Sequence, residues 1–159
     1  MHAGSSRLLG GYLLLTIAAL AGQAADSPPT DKVKVSVVII LASEKDAAVD
    51  PKLDDIAREV RKMHPRLKGF RLGPLAARSL AIGSEETFAL VEDQKARVVV
   101  QRGADKNDRV RLKVAPPQMG EITYSTPCGK FLPIVTPFRT RADELLILAV
   151  RVQPCHREK

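Results

Sequence analysis

From Arg66 to the C-terminus the apolar residues recur at every second position, in short runs separated by polar turns. That period belongs to strands with one face toward a core, not to a helical bundle. Strands are expected over residues 68–74, 78–82, 86–92, 95–102, 109–115, 121–125, 130–138 and 144–153. Short turns such as Gly83-Ser84-Glu85 and Asp93-Gln94 separate them, and Pro116-Pro117 breaks the chain before Gly120. The spacing marks an antiparallel meander folded into a sandwich or a partly open barrel. The stretch Glu-Leu-Leu-Ile-Leu-Ala-Val-Arg-Val from Glu144 is the longest apolar run outside the N-terminus, and its β-branched content makes it the expected central strand.

Only one segment has helical spacing. Asp50 suits an N-cap, Pro51 the first helical position, and Asp54 and Asp55 place carboxylates in the first turn. Leu53, Ile56, Ala57, Val60 and Met63 form one stripe, and Pro65 stops the helix, which is expected over 51–64. His64 is placed to cap carbonyls at its end. Ahead of it, 32–42 reads as a strand whose Val33, Val35, Val37, Ile39 and Leu41 share a face. Its other face passes from Lys34 and Ser36 to Val38 and Ile40, half exposed and then buried. The expected class is therefore α+β, mostly β, with one N-terminal amphipathic helix in a single β-rich domain over 32–159.

Residues 1–25 have the plan of a secretory signal. A basic start (His2, Arg7) leads into an apolar run, and Gly22 and Ala24 stand where cleavage after Ala24 would need small residues. Cleavage after Ala25 fits nearly as well. The apolar run, 8–21, falls short of the roughly 20 residues of a spanning helix. Residues 26–31 form a polar linker, and no later stretch is apolar for long enough to span a bilayer. The expected location is outside the cytoplasm: periplasm, envelope or medium. In an exported chain, Cys128 and Cys155 read as one disulfide, worth about 3–4 kcal/mol on the chain-entropy model. Two unpaired thiols are the other reading.

The chain carries no nucleophile elbow, phosphate loop, dinucleotide fingerprint or zinc-type histidine pair, so no catalytic residue, cofactor or metal site is expected. Asp105, Asn107 and Asp108 make an acidic loop without the glycine and closing glutamate of a calcium loop, and a plain turn fits it. The net charge is +7, while aromatic residues are only 4 % of the chain and Trp is absent. That combination leaves few stacking platforms for single-stranded nucleic acid, and none is expected as a partner. The basic residues gather in two places: Arg58, Arg61 and Lys62 on the helix, and Arg97, Arg109, Arg111 and Lys113 on one hairpin. Pairing Val98 with Leu112 and Val100 with Val110 would set Arg97 against Lys113, an unfavourable pair unless an anion or acid lies between them. In the last hairpin, Val135 against Leu148 and Phe138 against Leu145 would bring Cys128 opposite Cys155.

In its signal, single helix and closing Leu-rich strand, the chain resembles a loose group of short exported bacterial proteins of unknown function. The resemblance is anchored on Gly69-Phe70-Arg71-Leu72 and Glu144-Leu145-Leu146-Ile147-Leu148 and implies no activity. Phe138-Arg139 followed by Glu144-Leu145-Leu146-Ile147 is also similar to the closing segment of outer-membrane secretins. The Gly-Asp-x-Pro lip motif of that family is missing, so this is a shared strand pattern. The expected function is that of an exported, non-enzymatic domain binding an envelope partner, either a protein or an anionic polymer. The alternatives are an enzyme with an unmarked site, or an accessory domain of a secretion or assembly complex that adds an edge strand, such as 32–42, to a partner's sheet.

Overall fold

The computed structural model describes residues 32–154, so the expected signal, linker and C-terminal tail lie outside the described residues. Eight strands follow one another: β1 (Lys32–Ser43), β2 (Gly69–Ala81), β3 (Glu85–Ala89), β4 (Lys95–Arg102), β5 (Arg109–Ala115), β6 (Ile122–Pro127), β7 (Phe131–Arg139) and β8 (Leu145–Pro154). They form two four-stranded antiparallel sheets, sheet A in the order β2-β1-β8-β7 and sheet B in the order β3-β4-β5-β6. Traced around the molecule, the strands follow sequence order, and β8 returns to pair with β1. The fold is the expected meander, flattened into a sandwich. None of its helices is long and apolar enough to cross a membrane among the described residues.

Sheet A is buried on both sides. Val33, Val35, Val37, Ile39 and Leu41 of β1 and Leu146, Leu148, Val150 and Val152 of β8 face sheet B, meeting Val98, Val100, Val110, Leu112 and Val114. Val38, Ile40 and Ala42 with Leu145, Ile147 and Ala149 face the other way, toward α1 (Asp54–Met63). This explains why β1 and β8 are nearly continuous apolar runs, whereas β4 and β5 alternate strictly: one pair is covered twice, the other once. The last strand is central, as its composition implies.

The helix begins as written in the sequence. Asp50 accepts from Lys52 N–H at 2.9 Å and caps a single 3₁₀ turn (Pro51–Leu53) that runs into α1. Ala57 and Val60 are buried, but Met63 is 68 % exposed, against expectation. It sits on the last turn, and Leu67, 2 % exposed beyond Pro65, joins the core cluster under the helix instead. His64 is the C-cap residue, and it caps through its backbone N–H, which donates to the Val60 carbonyl at 2.8 Å. The Arg61 guanidinium lies over the Phe70 ring and donates to the carbonyls of Leu67 and Lys68.

Three strand expectations are corrected. The segments 68–74 and 78–82 are one strand, because Gly73 and Pro74 make a bulge opposite Ile39 on an edge strand, where proline is tolerated. In the β4–β5 hairpin, Val98 pairs with Val114 and Val100 with Leu112, so Arg97 faces Ala115 and Lys113 faces Val99. In the last hairpin, Val135 pairs with Ile147, and a bulge before Arg139 displaces Phe138 from Leu145. The expected opposition of Cys128 and Cys155 loses its register argument, and Cys155 lies outside the described residues.

Where the turn after β1 crosses β2, a Cβ on Gly69 would stand 2.4 Å from the Asp46 carbonyl oxygen. Backbone hydrogen bonds from Phe70 N–H to Ala48 and from Asp50 N–H to Phe70, both 2.9 Å, fix that crossing. Gly69→Ala is expected to destabilise the protein by about 1–3 kcal/mol through overpacking. Leu75→Ala, at a side chain 61 % exposed, should stay within about 0.5 kcal/mol. Urea unfolding midpoints check both, and equal midpoints for the two variants would contradict the crossing.

Candidate functional site

The sandwich interior is filled by side chains, so the polar chemistry lies on its faces and ends. Inside, the Tyr124 hydroxyl is buried without a hydrogen-bond partner among the described residues, and burial raises its pKa.

The seven basic residues singled out above do not share a surface. On α1, Arg58 pairs with Asp55 at 3.3 Å, Lys62 with Glu59 at 2.7 Å, and Arg61 is engaged with Phe70 and two carbonyls. Sheet B, with the other four, lies on the far side of sheet A. There, Arg97 is within 3.6 Å of Glu85 and 3.8 Å of Glu121, and Lys113 is 3.2 Å from Glu121. Acids thus stand beside this half of the stripe.

The other half differs. Val110 and Leu112 point into the core, which turns Arg109 and Arg111 outward. The bulge between Val100 and Arg102 rotates Arg102 outward as well and places it directly opposite Arg111. Among the described residues neither Arg102 nor Arg111 is in an ion pair. Like charges in that position oppose folding by roughly 0.2–1 kcal/mol. Arg109 donates from Nη2 to the Ser125 carbonyl at 2.6 Å. Asp105 is the nearby acid, and its carboxylate is turned into its own loop, accepting from the N–H groups of Asn107 (2.8 Å) and Arg109 (3.0 Å). Those two bonds, then the charges of Arg109 and Arg102, hold its pKa below the usual range. The acidic loop is therefore a turn stabilised from within. Arg102 escaped sequence reading because only the bulge reveals its direction.

Two surface grooves flank α1. The larger, about 360 Å³, is lined by Asp55, Ile56, Glu59, Lys130, Phe131 and Pro133. The smaller, about 270 Å³, includes Glu44, His64, Arg66 and Arg139. Glu44 bridges Arg139 (2.9 Å) and Arg66 (3.2 Å), and the Arg139 hydrogen bond chiefly holds its carboxyl below the ordinary value. A carboxylate clamped in this way anchors chain segments and makes a poor proton acceptor. Cys128 is half-buried and makes no disulfide within the described residues. Burial, then Asp108 and Asp105, push its thiol pKa up, the opposite of activation.

No protein-family model, no curated protein and no solved structure matches this chain.

The Glu44 anchor generates an acid test. A carboxyl whose folded pKa is lowered binds protons more readily in the unfolded chain. Its stabilisation is complete above the ordinary value of 4.5 and disappears as pH falls through the lower folded value. Glu44→Gln is expected to lower Tm at pH 7 and to flatten the loss of Tm below pH 4.5. Parallel Tm–pH curves for the two proteins would show that Glu44 contributes nothing to acid sensitivity.

Proposed function

We propose that the protein is an exported, non-enzymatic β-sandwich domain that binds an anionic polymer of the cell envelope through the outer face of sheet B. The observation that carries this reading is the facing pair Arg102 and Arg111, beside Arg109, with no carboxylate bound to either of the pair. A polyanion laid across β4 and β5 would neutralise an arrangement that otherwise opposes folding. The signal-like residues 1–25 support export, and the outward, solvated position of the arginines suits an extended ligand better than a small one.

Strand addition is less well supported. The segment expected to offer an edge, β1, is paired on both sides, by β2 and by β8. The four edge strands each carry an interrupting feature: Pro74 in the bulge of β2, two glutamates in the five-residue β3, Pro127 at the end of β6, and Pro133 and Pro137 in β7.

Long-chain inorganic polyphosphate is a suitable probe, with affinity followed by fluorescence anisotropy of a labelled polymer. Binding should weaken steeply with added salt. Arg102→Gln/Arg111→Gln should reduce affinity by about tenfold or more without lowering Tm, since it removes a repulsion and alters no buried contact. Unchanged affinity in the double variant would remove this face from consideration.

A further inference from the structure

We propose that the protein has a second polyanion site on the opposite side of the molecule, so that it bridges two polymer strands. This inference rests on the reading above and extends it.

The helix covers only part of the outer face of sheet A. Beyond it, the row of β1 and β8 opposite in direction to Val33, Val35, Val150 and Val152, which all point to the core, holds exposed Lys34, buried Ser36 and half-buried Arg151. Register places Ser36 between Ala77 and Arg151, and Arg151 beside Phe131. Lys34, paired with Gln153, is the diagonal neighbour of Arg151, about 7–8 Å away by sheet geometry. The Arg151 guanidinium lies 4.7 Å from the centre of the Phe131 ring, and its Nε is buried without a hydrogen-bond partner among the described residues. Lys130 shares the groove wall with Phe131.

Lys34, Lys130 and Arg151 thus gather at one end of the face, and among the described residues none of them is in an ion pair. Elsewhere on this side, Arg58, Lys62, Arg66 and Arg71 each have a carboxylate within 3.3 Å, while Lys52 and Lys68 stand singly and apart from other unpaired cations. The acids nearest Lys130 are Asp55 and Glu59 in the same groove, and Arg58 and Lys62 hold them. The cluster therefore brings three cations together with no carboxylate in ion-pair contact among the described residues. A phosphate group of a polymer supplies that charge and several acceptor oxygens for a guanidinium pinned on an aromatic ring. The two sheets separate this cluster from Arg102 and Arg111, so one straight polymer segment does not reach both.

The test captures the full chain on immobilised polyphosphate and asks whether it retains a second, fluorescent polyphosphate. Wild type should retain it. Lys34→Gln/Lys130→Gln should still be captured but lose the second polymer, with Tm unchanged, and Arg151→Gln should behave alike. Arg102→Gln/Arg111→Gln should also lose retention. Capture without retention by wild type, or retention by the Lys34/Lys130 variant equal to wild type, would overturn the second site and leave the first intact. Failure of wild type to bind polyphosphate at all would overturn both. A parallel arm uses phosphatidylglycerol vesicles, and clustering of vesicles without polymer retention would overturn the assignment to a polymer.

Discussion

The pairing of β1 with β8 holds this molecule together. Ten consecutive register pairs, from Val33 with Pro154 to Ala42 with Leu145, join the two ends of the described chain. The two strands form the centre of sheet A, and both their faces are apolar because each has something to cover it. Sheet B packs on one side and α1 on the other, while β2 and β7 flank the pair. Without β1 beside it, β8 would offer an apolar strand edge as well as two bare faces. At one end of this seam, Arg71 reaches from β2 to Glu144 with contacts of 3.2 and 2.7 Å, tying the flanking strand to the entry of β8. The segments 69–72 and 144–148 are thus joined in space.

A meander that closes on itself leaves little for its edges or its interior to do. Chain continuity brings β2 next to β3, and β6 next to β7, at the two corners, where Arg78 meets Glu86 at 3.9 Å on the first. The interior holds aliphatic side chains at near-zero exposure, as close packing in a sandwich requires. Specific chemistry is left to the outer faces. There, Arg102 and Arg111 stand out by facing each other, while other charges, such as Arg97 and Glu85, find opposite partners close by. Surface pairs of this kind contribute little individually to stability, so unmatched arginines say more about binding than matched ones say about folding.

The legible part of the fold was the part set by local chemistry. Asp50, Pro51 and Pro65 mark the ends of the helix whatever it packs against, and alternation in 95–102 and 109–115 fixes which residues enter the core. Register was not legible, for a physical reason. Sliding β5 by two residues along β4 leaves every apolar side chain on the same face, so hydrophobic pattern does not distinguish the two pairings. The loop decides: Asp105 folds 103–108 into a turn of its own, and the bulge before Arg102 takes up the remainder. The basic stripe changed its meaning with that slip, from Arg97 facing Lys113 to Arg102 facing Arg111. In the last hairpin, the Thr136 hydroxyl donates to the Leu146 carbonyl at 2.8 Å, a side-chain bond inside a bulge that no periodicity reveals. Met63 fits the helical stripe and is nonetheless exposed, because a stripe says which side faces the core and not how far the core extends.

By itself the sequence determined the class of fold, the single helix with its caps, the two-sided character of the first and last strands, and the total of positive charge. All of these follow from interactions among residues close in the chain, or from composition. Tertiary structure alone decided which strands are neighbours, which arginines meet carboxylates, and which are left facing one another. Those outcomes depend on turn geometry and on a shift of one or two residues between strands, and a pattern of period two is nearly blind to such shifts.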